Sequence, residues 1–159
     1  MADQSARDAA VEALARQAVA DVSPAELPIF AATAAQYRAD PQGTMAPAAR
    51  VGPLGFGAET AVVLVTPFAL DLVKRMFSRL SEKLGDSAAD SLAGRISAWF
   101  GRKNETAAEK PEPEPDPLTA EQLALIADTT RAEAAGLSLA PAESERLADA
   151  IVAALATRT

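Results

Sequence analysis

The sequence predicts an all-α protein: a small helical bundle with a Pro/Glu-rich linker to a C-terminal helical hairpin. Three observations predict it. Of the 159 residues, 39 are Ala, the strongest helix former. β-branched residues are scarce outside 60–66, so little favours a sheet. Apolar side chains recur three and four positions apart in one segment after another, the spacing of a buried helix face.

The chain divides into N-terminal helices over 1–40, a Gly/Pro loop over 41–57, central apolar and amphipathic helices over 58–103, a disordered linker over 104–117 and the hairpin over 118–157. In the first helix Val11, Leu14, Ala15, Ala18 and Val22 share a face, opposite Arg7, Asp8, Glu12 and Arg16. The following SPAELPIF reads as a helix start, with Ser23 as cap, Pro24 in the first position, Glu26 closing a capping box and Val22 stapled to Leu27. Pro28 disturbs that start, so a regular helix is expected from Ile29 to Arg38, burying Phe30, Ala34 and Tyr37.

Pro41, Pro47 and Pro53 with Gly43, Gly52, Gly55 and Gly57 mark the loop. Its GPLGFG lacks the following Gly-Lys-Ser/Thr and the preceding strand of a phosphate-binding loop. Residues 60–70, TAVVLVTPFAL, carry no charge but fall short of the ~20 apolar residues that span a bilayer. They read as a buried core helix interrupted by Pro67.

The amphipathic helix over 68–84 is the clearest in the chain. At roughly 100° per residue, Ala69, Leu70, Leu72, Val73, Met76, Phe77, Leu80 and Leu84 fill one arc, and Asp71, Lys74, Arg75, Ser78, Arg79 and Glu82 the other. Gly85 ends it. A second helix starts at Asp86 or Ser87, with Ser87 and Asp90 in a capping-box pattern, and lays Leu92, Ile96, Trp99 and Phe100 on one side.

The linker, NETAAEKPEPEPDP, has almost nothing to bury and reads as a solvated spacer. Beyond it Thr119 and Gln122 form a capping box, Leu118 staples to Leu123, and Gly136 closes the helix. Pro141 opens the last helix, with Leu147, Ala148, Ile151, Val152 and Leu155 on one side. Two helices of ~16 residues cannot form a stable core alone, so the hairpin must dock on the body, on a copy of itself or on another protein.

Composition narrows the chemistry. The sequence has no Cys and no His, which removes disulfides, Cys or His metal sites, a His base and a Cys nucleophile. The serines have no His to activate them and the carboxylates show no paired spacing, so a non-enzyme with no cofactor is expected. Net charge is −7, yet 68–103 holds seven basic residues against four acidic ones. A local excess of three without interleaved aromatics does not point to nucleic acid. It fits an acidic protein partner or an anionic bilayer better.

Eleven Arg against four Lys suggests GC-rich coding and a bacterial source. The acidic N-terminus is unlike a secretory leader, so cytoplasmic residence is expected, peripheral at the inner face of the membrane in the bilayer case.

The expected function is a non-catalytic helical adaptor that docks on a protein partner through its amphipathic helices. The alternative is a membrane-associated protein inserting residues 54–100 at an anionic bilayer, and a homo-oligomer is compatible with either. The candidate binding residues are Phe68, Leu72, Lys74, Arg75, Met76, Phe77, Arg79, Leu80, Trp99 and Phe100 in the centre, and Leu123, Ile126, Leu147, Ile151 and Leu155 in the hairpin.

Overall fold

The computed structural model describes residues 2–45, 64–100 and 116–158. All the regular structure among them is helical. The helices are α1 (Ala2–Val22), α2 (Phe30–Ala39), α3 (Pro41–Met45), α4 (Thr66–Leu84), α5 (Asp86–Phe100), α6 (Ala120–Ala134) and α7 (Pro141–Ala156), with a 3-10 turn at Pro24–Ile29 between α1 and α2. The loop expected over 41–57 therefore begins as one helical turn, closed by Asp40, whose Oδ1 accepts from the Gly43 N–H at 3.0 Å. The rest of that loop, residues 58–63 and the linker through 115 lie outside the described residues.

The two central helices are α4 and α1. α4 touches α1, α2, α3, α5 and α6, while α1 also packs on α5 and α7. This gives one continuous core, in which Leu14 and Val19 of α1, Phe68, Leu72, Met76, Phe77 and Leu80 of α4, and Ile96 of α5 join Ile126 of α6 and Leu147, Ile151 and Leu155 of α7. The hairpin thus finds its cover within its own chain. The narrow Ala-rich stripe of α1 makes this close packing feasible, and Ala10, Ala15 and Ala18 are completely buried.

Polar ties reinforce the arrangement. Arg7 of α1 pairs with Asp90 of α5 at 2.7 Å and donates to Ser81 Oγ of α4 at 3.2 Å. Asp90, read as part of a capping box with Ser87, is the residue of α5 that holds α1. Lys83 of α4 donates to Thr129 of α6 at 3.3 Å. The Arg158 guanidinium stacks over the Phe100 ring at 5.3 Å, joining the end of α7 to the end of α5.

The expected caps meet different fates. Thr119 and Gln122 form the reciprocal box that opens α6. Ser23 makes no side-chain cap, and the segment after it winds as a 3-10 turn around Pro28. Glu26, read as a local capping residue, turns instead to α4. The residue is 6% exposed, and its carboxylate accepts from the backbone N–H groups of Val65 and Thr66, each at 3.0 Å, and from Thr66 Oγ1 at 2.9 Å. The first N–H groups of a helix have no partner within it, and Pro67 contributes none. Pro67 accordingly stands in the first turn of α4 and does not interrupt it.

Two glycines give a stability prediction of opposite signs. Gly85, between α4 and α5, has φ of +93°, where a Cβ is strained. Gly94 lies inside α5, and a Cβ there would have open space around it. Gly85→Ala should lower unfolding free energy by about 1–2 kcal/mol, and Gly94→Ala should raise it by about 0.5–1 kcal/mol. Urea denaturation of the two variants checks both signs.

Candidate functional site: the polar groove of α4

The apolar residues expected to meet a partner are mostly interior. Phe68, Leu72, Met76, Phe77, Leu80, Ile126, Leu147, Ile151 and Leu155 are each at most 2% exposed, and Trp99, Phe100 and Leu123 are partly buried against the same core. A helical stripe looks the same in sequence whether its own chain or another covers it; here its own chain does. The exposed large apolar side chains among the described residues are Ile29, at the end of the 3-10 turn, and Leu84, at the end of α4. Among those residues no helix is long and apolar enough to cross a membrane. Insertion through this stripe would require the core to open.

The three basic candidates behave differently. Lys74, Arg75 and Arg79 follow the outer face of α4 and line one groove of about 520 Å³. Its other walls are Tyr37 of α2, Pro41, Gln42 and Met45 of α3, and Glu133 of α6. A smaller hollow of about 240 Å³ shares Gln42, Met45, Asp71 and Arg75 with it and is closed by Leu137 and Ser138 of the α6–α7 turn. Arg75 therefore stands between the two hollows.

The charges in the groove are ordered along the helix. At its outer end Arg79 Nε pairs with Glu133 at 2.8 Å and Nη1 with Glu82 at 3.0 Å, so one guanidinium faces two carboxylates. At its inner end two cations, Lys74 and Arg75, face one carboxylate, Asp71. Asp71 is 9% exposed and holds two partners: the Tyr37 hydroxyl donates to Oδ1 at 2.8 Å, and Arg75 Nε lies 2.7 Å from Oδ2. Oδ2 is buried, and the ion pair with Arg75 takes the place of a well-aligned hydrogen bond there.

Helix periodicity puts Asp71 on the polar arc and could not foresee this role. α2 packs on the flank of α4 and closes over it. The detectable signal was an acid one turn before an Arg, which fits an ordinary exposed helix pair just as well.

Another hollow among the described residues, about 620 Å³, lies along α6 and α7 and is lined mainly by Ala134, Ala135, Leu139, Pro141 and Ala148. One long ion pair, Arg131 to Asp149 at 3.5 Å, stands at its edge. Ser144 and Glu145 complete its lining, but the polar contact recorded there is that single pair, whereas the groove of α4 holds the Tyr37–Asp71–Arg75 chain and both ion pairs of Arg79.

Tyr37 gives this network a measurable signature. Burial, the hydrogen bond to Asp71 and the charge of Asp71 all raise its pKa from the ordinary 10.0, while Arg75 opposes them. A group with a raised folded-state pKa contributes stability fully below its unfolded pKa and loses it as pH rises towards the folded value. The protein should thus lose stability above pH 10.0 through this residue. As Tyr37 is the single tyrosine, near-ultraviolet phenolate absorbance reports it alone. The folded chain should stay unionised at a pH where the urea-unfolded chain has titrated.

Comparison of the chain with protein-family models, curated proteins and solved structures found no match.

Proposed function

We propose that this chain is a non-catalytic helical adaptor that receives a protein partner in the polar groove of α4. One observation carries the reading: Lys74, Arg75 and Arg79, picked out as binding residues by their place on the helix, are brought onto one concave surface walled by three other helices. An exposed salt bridge on a convex helix needs no groove and contributes little to stability. Here α3 and the α6–α7 turn stand on either side of Arg75 and leave a hollow between them. The α4 residues behind it, Leu72, Met76, Phe77 and Leu80, are fully packed in the core, and a wall already in place lowers the ordering cost of binding.

The test is position-specific photocrosslinking. A crosslinking amino acid replaces Ser78, which lines the groove, or Ala153, exposed on α7. The expected result is one polypeptide captured from Ser78 and not from Ala153, with capture lost in the Lys74→Glu, Arg75→Glu double variant. Equal capture from both positions, or capture indifferent to the charge reversals, overturns the assignment of the groove.

A further inference from the structure

We infer that the free edge of the Arg75 guanidinium, with the Lys74 ammonium beside it, is a seat for a carboxylate side chain of an acidic peptide, and that Asp71 and Tyr37 are the residues that position it. This rests on the groove of α4 being the docking surface. A guanidinium has five N–H donors in a rigid plane. The nearest atoms of the ion pair of Arg75 with Asp71 are Nε and Oδ2, 2.7 Å apart, and the arginine side chain remains 43% exposed, so part of the donor fork is open to the groove.

The orientation is fixed from behind. Asp71 is held by the Tyr37 hydroxyl at 2.8 Å, so Tyr37, Asp71 and Arg75 form a chain from α2 through α4 to the groove. On the far side, Nη1 stands 3.7 Å from where a Cβ on Gly136 would be, so the guanidinium reaches the α6–α7 turn.

Several features together distinguish this arrangement from an ordinary surface ion pair. Asp71 is buried, where an apolar residue would be less costly than a carboxylate. Its burial is useful if it holds one arginine in one orientation. The side chain that it holds is 43% exposed and lies between two connected hollows. Lys74 adds a second cation; it is exposed and lines both this groove and a neighbouring hollow of about 290 Å³.

Within the groove lining, Lys74 and Arg75 against Asp71 leave this end with one positive charge in excess, which suits an anion, while Asp8 and Glu12 lie beyond Lys74 in the neighbouring hollow with Arg38. The outer end, with Arg79 between Glu82 and Glu133, repels an anion. A planar carboxylate matches the two parallel N–H bonds of a guanidinium edge.

The experiment titrates isotope-labelled full-length chain with an oligoglutamate peptide at low ionic strength, following backbone amide shifts, with oligolysine and free glutarate as parallel arms. Saturable shifts at Lys74, Arg75 and the Gly136–Ser138 turn are expected with oligoglutamate, none with oligolysine, and much weaker binding of glutarate. Arg75→Lys keeps the charge but loses the planar edge and should weaken binding about tenfold. Tyr37→Phe, which only frees Asp71, should weaken it by a smaller factor while Trp99 emission stays native.

Absence of saturable shifts with oligoglutamate overturns the inference, as does glutarate binding as tightly as the peptide. Unchanged affinity in Arg75→Lys overturns it as well, because charge alone would then suffice. That last result leaves the groove reading standing, whereas charge-indifferent crosslinking at Ser78 removes the groove itself.

Discussion

Removing residues 117–159 should unfold what remains. The hairpin contributes Ile126, Leu147, Ile151 and Leu155, each at most 1% exposed, together with Leu118 and Leu137 at 3% and 8%. Burying a Leu or Ile is worth roughly 1.5–3 kcal/mol, so these side chains represent on the order of 10 kcal/mol of burial. Domains of this size are stable by only about 5–15 kcal/mol. The truncation also uncovers the surfaces of α1 and α4 that α7 and α6 had covered. The shortened chain should therefore lose its sharp thermal transition, keep part of its helical circular dichroism and bind a hydrophobic dye. A truncated protein with a cooperative transition and dispersed amide resonances would show that the body is a domain in its own right.

Glu26→Ala should be the most damaging single substitution outside the apolar core. It removes the one carboxylate that accepts from the Val65 and Thr66 N–H groups and from the Thr66 hydroxyl. Thr66 is completely buried, so water cannot replace the lost acceptor without opening the structure. A buried donor left without a partner costs about 1–3 kcal/mol, and two backbone donors with a hydroxyl put the loss at about 3–5 kcal/mol. The carboxylate also faces the positive end of the α4 dipole. Glu26→Gln keeps an acceptor oxygen without the charge and should cost about half as much. Urea denaturation of both variants gives the ranking; a loss below ~1 kcal/mol for the alanine would mean that the helix end is satisfied in another way.

These expectations show what a single sequence does and does not reveal. The all-α class, the break at Gly85, the capping box at Thr119 and the Pro141 start of α7 are local: each depends on residues within one turn of each other. The apolar face of α4 was legible for the same reason, because periodicity identifies a stripe from a single helix. What covers that stripe depends on residues far along the chain. Leu84 fits the apolar arc yet is 48% exposed at the end of α4, whereas Asp71 fits the polar arc and is buried.

Glu26 shows the limit most clearly. Its spacing from Ser23 matches a capping box, and its partners lie 39 and 40 residues away. Nothing within one turn of Glu26 indicates that pairing. The basic half of the candidate site was legible as charge on one helix face. The groove that gives those charges a common target required the placement of α2, α3 and the α6–α7 turn.

When the hairpin and the body are one cooperative unit, the apolar face of α4 is covered and its polar face is left for recognition. Trp99 is the single tryptophan and sits in α5, whereas Ile151 is fully buried in α7. The direct measurement is urea unfolding of the wild type and Ile151→Ala, followed in parallel by Trp99 emission and far-ultraviolet circular dichroism. Truncating a buried Ile costs about 2–5 kcal/mol. If the core is shared, the two signals coincide in each protein and the Trp99 midpoint falls with the substitution. A Trp99 midpoint that stays in place while the circular dichroism splits into two steps would contradict the account.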